Sequence, residues 1–418
     1  MSRRALILIE GGTHTGMPYV QAAQRLGLHP ITLSADPGRY DYLAAEGCDS
    51  IRVDTHNIDV LIGECSRLQT TYEIAGITSV GDLFYATVGE LCRYFHLPGP
   101  NPESVAQCSD KYVQRQLLAK AGVLVPAFRL AVNAMDIEGS IAEIGLPVVV
   151  KPAVGTGSRG VRLCRNVDEV TEHAKYLFGE KQTWQSSRGI LIEEFAQGPL
   201  YNALIMGNEV IGVGIALYGA PPHFVCRQMS YPAQATDNQY KRVVDLSLNC
   251  LRALGLGWGP TNVEVRWTQH GPMVIEVNPR LAGTPDPELA HLAYGLDLIT
   301  EHIKLVTGQE WDLSRRQSQV TSARFLVPDC DGILDWIDGV SQAAALPGVA
   351  EVKLHIQPKT PIVRKGDSSD RIGYVIATSP DFAQTEAILQ RAVDLIRWSI
   401  KPFSLQEIAR LAALGTAS

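Results

Sequence analysis

The sequence predicts an α/β fold in which a parallel sheet is followed by antiparallel ones. Three stretches carry that expectation. Ala5–Ile9 is an apolar run of strand length, followed by the glycine turn Glu10–Gly16, the helix-like Met17–Leu26 and the strand Ile31–Ser34. This strand–turn–helix–strand rhythm marks a parallel α/β unit. Leu97-Pro98-Gly99-Pro100-Asn101-Pro102 then breaks regular structure and sets a domain boundary. Farther on, Asn262–Thr268 and Met273–Val277 are short strands joined by the turn Gln269–Pro272, which predicts an antiparallel hairpin.

Bulk properties narrow the function. With 418 residues the chain has room for two or three domains with large cores. Its make-up, 45% hydrophobic and 19% charged, is that of an ordinary soluble globular protein. A net charge of -7, a pI near 5.8 and the lack of a basic run argue against broad nucleic-acid binding. The opening MSRRALILIEGG has too short an apolar run for a signal peptide and leads into a glycine turn. No stretch reaches the roughly 20 apolar residues of a membrane span. The eight cysteines are scattered without a CxxC pair, which predicts reduced thiols and a cytoplasmic protein.

The hairpin holds the densest chemistry. Glu264 lies between Val263 and Val265, and Glu276 between Ile275 and Val277. Side chains alternate across a strand, so each acid points away from its apolar neighbours, and pairing can bring both carboxylates to one face. Asn278 comes two residues after Glu276, and Arg280 two after that. Two carboxylates and an amide oxygen form a hard-oxygen site suited to Mg²⁺, which completes its shell with water and phosphate oxygens. A lone Glu in a strand usually just faces water. Four polar groups in step favour a metal–phosphate site.

Taken in order, the chain offers further candidates. The turn GGTHTG sits at the carboxyl end of the first strand, where ligands of such sheets bind, so Gly12 is a candidate substrate contact. Tight-turn chemistry alone would also explain those glycines. A second βα unit runs from Gly76–Val80 through Phe84–Phe95. Ser109–Ala121 is a helix with Asp110 as N-cap and Lys111 in its first turn, a mildly unfavourable place for a cation unless an anion lies nearby. Gly145–Pro152 is a buried strand tipped by Lys151, and the glycine-rich loop Gly155–Gly160 follows, with Gly157 and Ser158 inside it. Open backbone amides, hydroxyls and a lysine make a phosphate cradle, though not a Walker A motif.

The strand Arg188–Gly198 ends in Glu193, Glu194, Phe195 and Ala196. Such an end can offer backbone hydrogen bonds to a planar base and an acid to an exocyclic amine or ribose. Asn202–Leu217 and Phe224–Tyr231 are further strands, and Tyr240–Leu254 is a helix. Beyond the hairpin come helical stretches at Glu288–Tyr294 and Leu296–Gly308 and a linker at Arg315–Ser318. Strands at Ala323–Val327, Val352–Ile356 and Ile372–Ala377 and a helix at Asp381–Trp398 complete the chain.

The order of these parts resembles the ATP-grasp carboxylate–amine ligases, and within them the L-amino-acid (dipeptide) ligases of the dapdiamide-synthetase type. SDKYVQRQLLAKAGVLVPAF, VVVKPAVGTGSRGV, LIEEFAQGP, NVEVRW with MVIEVNPRLAG, and DRIGYVIATSPDFAQTEAILQRA occur in the family's order and spacing. The resemblance implies an ATP-grasp fold with an N-terminal parallel α/β domain at 1–108 and a mobile lid subdomain at 109–192. A metal- and nucleotide-binding core at 193–312 and a C-terminal α+β region at 313–418 would follow.

Site residues follow from the same resemblance. Lys111 and Lys151 would contact nucleotide phosphates beneath the loop that carries Gly157 and Ser158. Glu193, Phe195 and Ala196 would line the adenine edge, with Glu194 adjacent. Glu264, Glu276 and Asn278 would hold Mg²⁺, for which Mn²⁺ could substitute. Arg280 and Lys151 would be the catalytic cations, and Arg280, Gly283, Thr284, Arg227 and Gly12 the substrate contacts. The implied reaction joins the carboxylate of one amino acid to the amine of a second through an acyl-phosphate, releasing ADP and phosphate, in the making of a small peptide antibiotic. Partners are then amino-acid-like small molecules, with no nucleic acid and no membrane, for a chain that could pair as a homodimer. The alternative is an ATP-dependent carboxylase, or another ATP-grasp ligase with a non-amino-acid acceptor, built on the same nucleotide site.

Some positions depart from the family pattern. Leu200 stands where many members carry a ribose-binding Glu, so Glu193 or Glu194 must serve or the ribose is held loosely. Met229, three residues before Pro232, replaces the histidine of an HxxP motif and can neither shuttle a proton nor donate a hydrogen bond. Thr284, four beyond Arg280, is small, which fits a bulkier acid substrate.

Overall fold

The computed structural model describes residues 3–12, 15–179 and 189–407. Thr13 and His14 of the GGTHTG turn, and Arg188 at the start of the expected strand 188–198, lie outside the described residues. The N-terminal region is a parallel sheet in the order Asp49–Arg52, His29–Ser34, Arg3–Ile9, Tyr72–Ser79. Except for the exposed edge strand Asp49–Arg52, its strands are largely buried on both faces, as in parallel sheets, and helices such as Gly16–Arg25 and Tyr85–Tyr94 supply the cover. No helix among the described residues is long and apolar enough to cross a membrane.

The proline-rich break is shorter than its prolines predict. Pro102 opens the helix Pro102–Ser109, with the Asn101 side chain accepting from the Ser104 amide as N-cap. Proline at the first helical position loses no hydrogen bond and has the right φ, so here it starts a helix instead of barring one. Asp110 then caps a second helix, Lys111–Lys120, through the amides of Tyr112 and Val113. A small antiparallel sheet follows in the order Phe128–Ala131, Ile190–Glu194, Val148–Pro152, Arg162–Cys164. Helices Ala134–Ile144 and Val167–Gly179 pack on it through Ile137, Val170, Ala174 and Leu177.

Among the described residues, the largest sheet has eight strands. Their order is Gly271–Asn278, Pro260–Thr268, Leu200–Met206, Glu209–Tyr218, Cys226–Tyr231, Val320–Leu326, Gly373–Ser379 and Val349–Leu354. Asn202–Leu217, expected as one strand, is two strands folded back at Gly207, whose φ of 61° suits the turn. The strand Val320–Leu326 pairs directly with Cys226–Tyr231, and Gly373–Ser379 and Val349–Leu354 follow it outward, so both sides of the expected boundary at 312–313 share one sheet. The strand Gly332–Asp338, the short helix Val340–Ala344 and the strand Arg397–Lys401 escape the sequence pattern, being brief and only partly apolar.

One face of this sheet is sealed by the helix Asp237–Leu254. Val243, Cys250, Leu251 and Leu254 pack on Tyr201, Ala203, Val263, Val265 and Val274. Alternation then sends Glu264, between two of those valines, to the opposite face. Gln114 locks the helix Lys111–Lys120 to that sheet. Its Nε2 donates to the carbonyls of Cys108 (2.9 Å) and Val277 (2.8 Å), and its Oε1 accepts from the Val277 amide at 2.9 Å. Gln114→Leu would leave two buried Val277 groups unpaired, at about 1–3 kcal/mol each. Urea unfolding should show a lower midpoint with an unchanged slope; an unchanged midpoint would mean that the strut carries no stability.

Candidate active site

The hairpin Pro260–Thr268/Gly271–Asn278 sets its polar groups on shared rungs. Glu264 stands directly opposite Glu276, and Asn262 opposite Asn278. On its other side Glu264 is opposed by Asn202. Directly opposed residues share a face. Five polar side chains, two of them acids, therefore crowd one patch of sheet. Burial, and next the charge of Glu276, push the Glu264 carboxyl up to about 7.

Lys111 relieves part of that repulsion. Its Nζ lies 2.8 Å from Glu276 Oε1 and donates to the Gly155 carbonyl at 2.5 Å. One ammonium thus joins the helix start, the hairpin and the glycine loop. The cation that fits the helix N-terminus poorly has its anion in tertiary structure. Within the loop, Gly157 and Ser158 adopt positive φ of 69° and 60°. The Gly157 carbonyl accepts from the Ser368 amide at 3.0 Å, and a Cβ on Gly157 would stand 2.5 Å from Ser368 Oγ. The loop therefore rests on the segment 366–371 of the C-terminal region, and glycine allows that approach.

Glu193 sits between two cations. Lys151 Nζ pairs with one of its carboxylate oxygens, and Arg115 Nε donates to the other at 2.7 Å. Burial alone would raise its pKa, but the Arg115 and Lys151 cations hold Glu193 below the usual carboxylate range. Burial in turn lowers the Lys151 pKa against the attraction of Glu193. Both oxygens thus already hold a cation, and a contact to adenine or ribose would have to share one of them. Sequence reasoning missed Arg115 and Gln114. The signal was the i, i+4 spacing of Lys111 and Arg115, which puts both cations on one helix face.

At the end of that strand, Glu194 is exposed and accepts from the Ala127 amide at 3.2 Å. Phe195 packs 6.2 Å from Phe224, and Ala196 is buried. Leu200 is buried where a ribose-binding acid was sought, so Glu194 is the acid left at this rim.

Beyond the hairpin, Arg280 is half-buried and its Nη1 donates to the Leu281 carbonyl at 2.9 Å. Loss of water lowers its pKa to about 10 against the attraction of Asp286. Asp286 is buried and accepts from the Tyr231 hydroxyl at 2.7 Å. Neither Asp286 nor Tyr231 stands out in sequence, because the fold alone brings them together. Gly283 is exposed, with open space where a Cβ would stand, and Thr284 is half-buried beside it. Gly12 lies half-buried just past the first strand. Arg227, expected to meet a substrate carboxylate, is instead an exposed side chain whose Nη1 donates to the Val327 carbonyl at 3.3 Å.

Residues 144–288 match the ATP-grasp domain, and residues 324–401 match L-amino acid ligase C-terminal domain 2. The uncharacterized protein y4rH of Sinorhizobium fredii (strain NBRC 101917 / NGR234) is 60% identical over 402 residues, 96% of this chain and 84% of that protein. The chain belongs to the ATP-grasp family. It is an ATP-dependent ligase that forms a carbon–nitrogen bond. Carnosine synthase 1 of Mus musculus is 25% identical over 74% of this chain, which spans 40% of that longer protein. The crystal structure of the L-amino acid ligase from Bacillus licheniformis overlays with a TM-score of 0.80 at 18% identity, covering 96% of this chain and 100% of that one.

ATP-grasp enzymes use ATP and Mg²⁺, and the hairpin of this ATP-grasp ligase fits the cation. Asn202 Oδ1 and Asn262 Oδ1 are buried without a hydrogen-bond partner on the same patch as the two acids. No trio of His, Cys, Asp and Glu gathers among the described residues. Two carboxylates with amide oxygens are the sparse oxygen set that Mg²⁺ completes with water and phosphate. Glu264, Glu276 and Asn278 would hold it. Glu193→Gln tests the cation triad behind this site. Breaking a buried pair costs about 3–5 kcal/mol, so denaturant unfolding should report a loss of that size together with weaker ATP binding. A variant within about 0.5 kcal/mol of wild type would contradict the assignment.

Proposed function

We propose that this ligase joins the carboxylate of one amino acid, or of a modified amino acid, to the amine of a second by way of an acyl-phosphate. The observation that carries this reading is the shared rung of Glu264 and Glu276, with Lys111 ion-paired to Glu276 and Arg280 two residues past Asn278.

Lys111, Lys151 and the amides of the glycine loop would take the triphosphate, and Glu194, Phe195 and Ala196 the base and sugar. A bound divalent ion would neutralise phosphate charge at Glu264, Glu276 and Asn278. A substrate carboxylate oxygen then bonds to the γ-phosphorus as the bond to the ADP oxygen breaks. The chain contributes mainly position and charge neutralisation, from Lys111, Lys151 and Arg280. Water must be kept from the resulting anhydride, and the docking of Gly157 on Ser368 supports a closed loop doing so. Attack by the amine on the carbonyl carbon releases phosphate, with Arg280 facing the oxyanion.

The small Thr284 beside open space at Gly283 supports a bulky acid. The L-amino acid ligase C-terminal domain supports amino acids as substrates. Within that class, the motif order favours a dapdiamide-type peptide, an antibiotic role for the product and Mn²⁺ as a substitute for Mg²⁺.

Phosphate release measured across a matrix of amino acids as acid and amine, with Mg²⁺ and ATP, tests this function. Release should need both substrates and no bicarbonate. Glu276→Gln should cut kcat by about 10²–10³ or more at unchanged thermal stability. Release that ignores the amine, or that requires bicarbonate, would replace this reading with a hydrolase or a carboxylase.

A further inference from the structure

A second, unassigned carboxylate, Asp286 at the start of the helix Asp286–Tyr294, is hydrogen-bonded to the sheet face that carries Glu264. Face identity can be followed strand by strand. Glu264 opposes Asn202, and Asn202 opposes Gly214. A Cβ on Gly214 would stand 2.5 Å from Tyr231 Cε1, so the tyrosine ring lies over this glycine. Two strand spacings, about 10 Å, separate that backbone from the strand of Glu264. The Tyr231 hydroxyl donates to Asp286 at 2.7 Å, and Asp286 in turn attracts Arg280. Cys226 stands on the strand of Tyr231, three pairings from the strand of Glu264; burial raises its thiol pKa first, and the charges of Asp286 and Glu264 raise it further. Met229, two residues before Tyr231 on the same face, opposes Ala216 and has no atom able to accept a proton from an amine.

We propose that Asp286, held in place by the Tyr231 hydroxyl, accepts the proton of the attacking amine. This rests on the amide-forming reading above. The nitrogen lone pair bonds to the acyl carbon, and the carbon–oxygen bond to phosphate breaks, its electron pair leaving with phosphate. The surplus N–H proton passes to Asp286, which later yields it to solvent. Asp286 is the catalytic residue in this step and Tyr231 its positioning residue.

The surroundings of Asp286 agree with that duty. Burial first lifts its carboxyl to about 7; the Tyr231 hydrogen bond lowers it, Glu288 raises it, and Arg280 and Arg371 lower it. Cys226 and Tyr231 face it from the strand Cys226–Tyr231, while Val320–Leu326 and Gly373–Ser379 contribute Ala323, Phe325 and Tyr374 to the same core. A base with a pKa near working pH is ionised enough to act and basic enough to take a proton. Its acting form is the carboxylate, so kcat/KM for the amine should fall as pH drops through about 7.

Hydroxylamine separates this step from the activation of the acid, because it arrives unprotonated at neutral pH and its adduct is acidic enough to give its surplus proton to water. With the full chain, Mg²⁺, ATP and an accepted acid, Asp286→Asn should lower kcat/KM for the amine by about 10²–10⁴ at neutral pH. Hydroxamate formation should fall much less, so that the ratio of amide to hydroxamate rates drops by about tenfold or more. Tyr231→Phe keeps the carboxylate but removes the bond that lowers its pKa, so the acid limb of the pH profile should move up. Adding Met229→His to Asp286→Asn should restore part of the rate. Asp286→Asn that makes amide at the wild-type rate across pH overturns the proposal. So does equal loss of hydroxamate and amide, or a Tyr231→Phe profile that falls without shifting. Wild-type protein that forms neither product from any acid would overturn the ligase reading itself.

Discussion

Two carboxylates on one rung of an antiparallel ladder, with Cα atoms about 5 Å apart, repel each other wherever water is scarce. Glu264 and Glu276 occupy such a rung. A chain that gained nothing from the pair would replace one acid with Thr or Val, which suit a strand better. Much of the surrounding architecture can be understood as the set of contacts that makes this rung tolerable. Lys111 is drawn into the first turn of its helix against the dipole, because Glu276 lies within reach. Gln114, one residue before the next cation, clamps the same helix to the Val277 backbone, so the ammonium is held in position. Two orphan amide oxygens beside the acids leave the patch rich in acceptors and short of positive charge. That imbalance is what a divalent ion and its phosphate ligands would relieve.

Behind the rung lies a second electrostatic unit in which the balance is reversed. Arg115 and Lys151 share the single carboxylate of Glu193, leaving an excess of one positive charge near the glycine loop. An acceptor-rich patch facing a cation-rich one is a suitable cradle for a magnesium–triphosphate, whose metal and phosphates carry opposite needs. The long strand order matters here. Because Val320–Leu326 pairs with Cys226–Tyr231, the C-terminal region continues the same sheet and can present Ser368 to the glycine loop. Catalytic core and closing surface therefore move with one framework.

Much of this was legible in sequence. The apolar run at Ala5–Ile9 and the alternation through Asn262–Asn278 are local signals, set by side-chain period, and the strands formed where the period placed them. The opposed acids followed from the same alternation. What stayed hidden was decided by distant partners. Nothing local to Glu193 shows that Arg115, 78 residues away, would pair with it. Tyr231 and Asp286 are 55 residues apart and meet only across the completed sheet. Pro102 was read as a breaker, although the Asn101 cap before it makes the first helical position the one place where proline suits a helix. The late strand Gly332–Asp338 carries Asp335 and Trp336 in a short, half-exposed stretch, which gives little hydrophobic pattern.

The central claim is that the opposed acids hold the cation that carries the nucleotide. A crystal structure with Mg²⁺ and a non-hydrolysable ATP analogue tests it most directly. The account predicts metal about 2.0–2.1 Å from oxygens of Glu264, Glu276 and Asn278, with phosphate oxygens completing the shell. Lys111 should have turned from Glu276 toward the phosphates. Nucleotide bound elsewhere, with the Lys111–Glu276 pair intact and those oxygens facing only water, would contradict it.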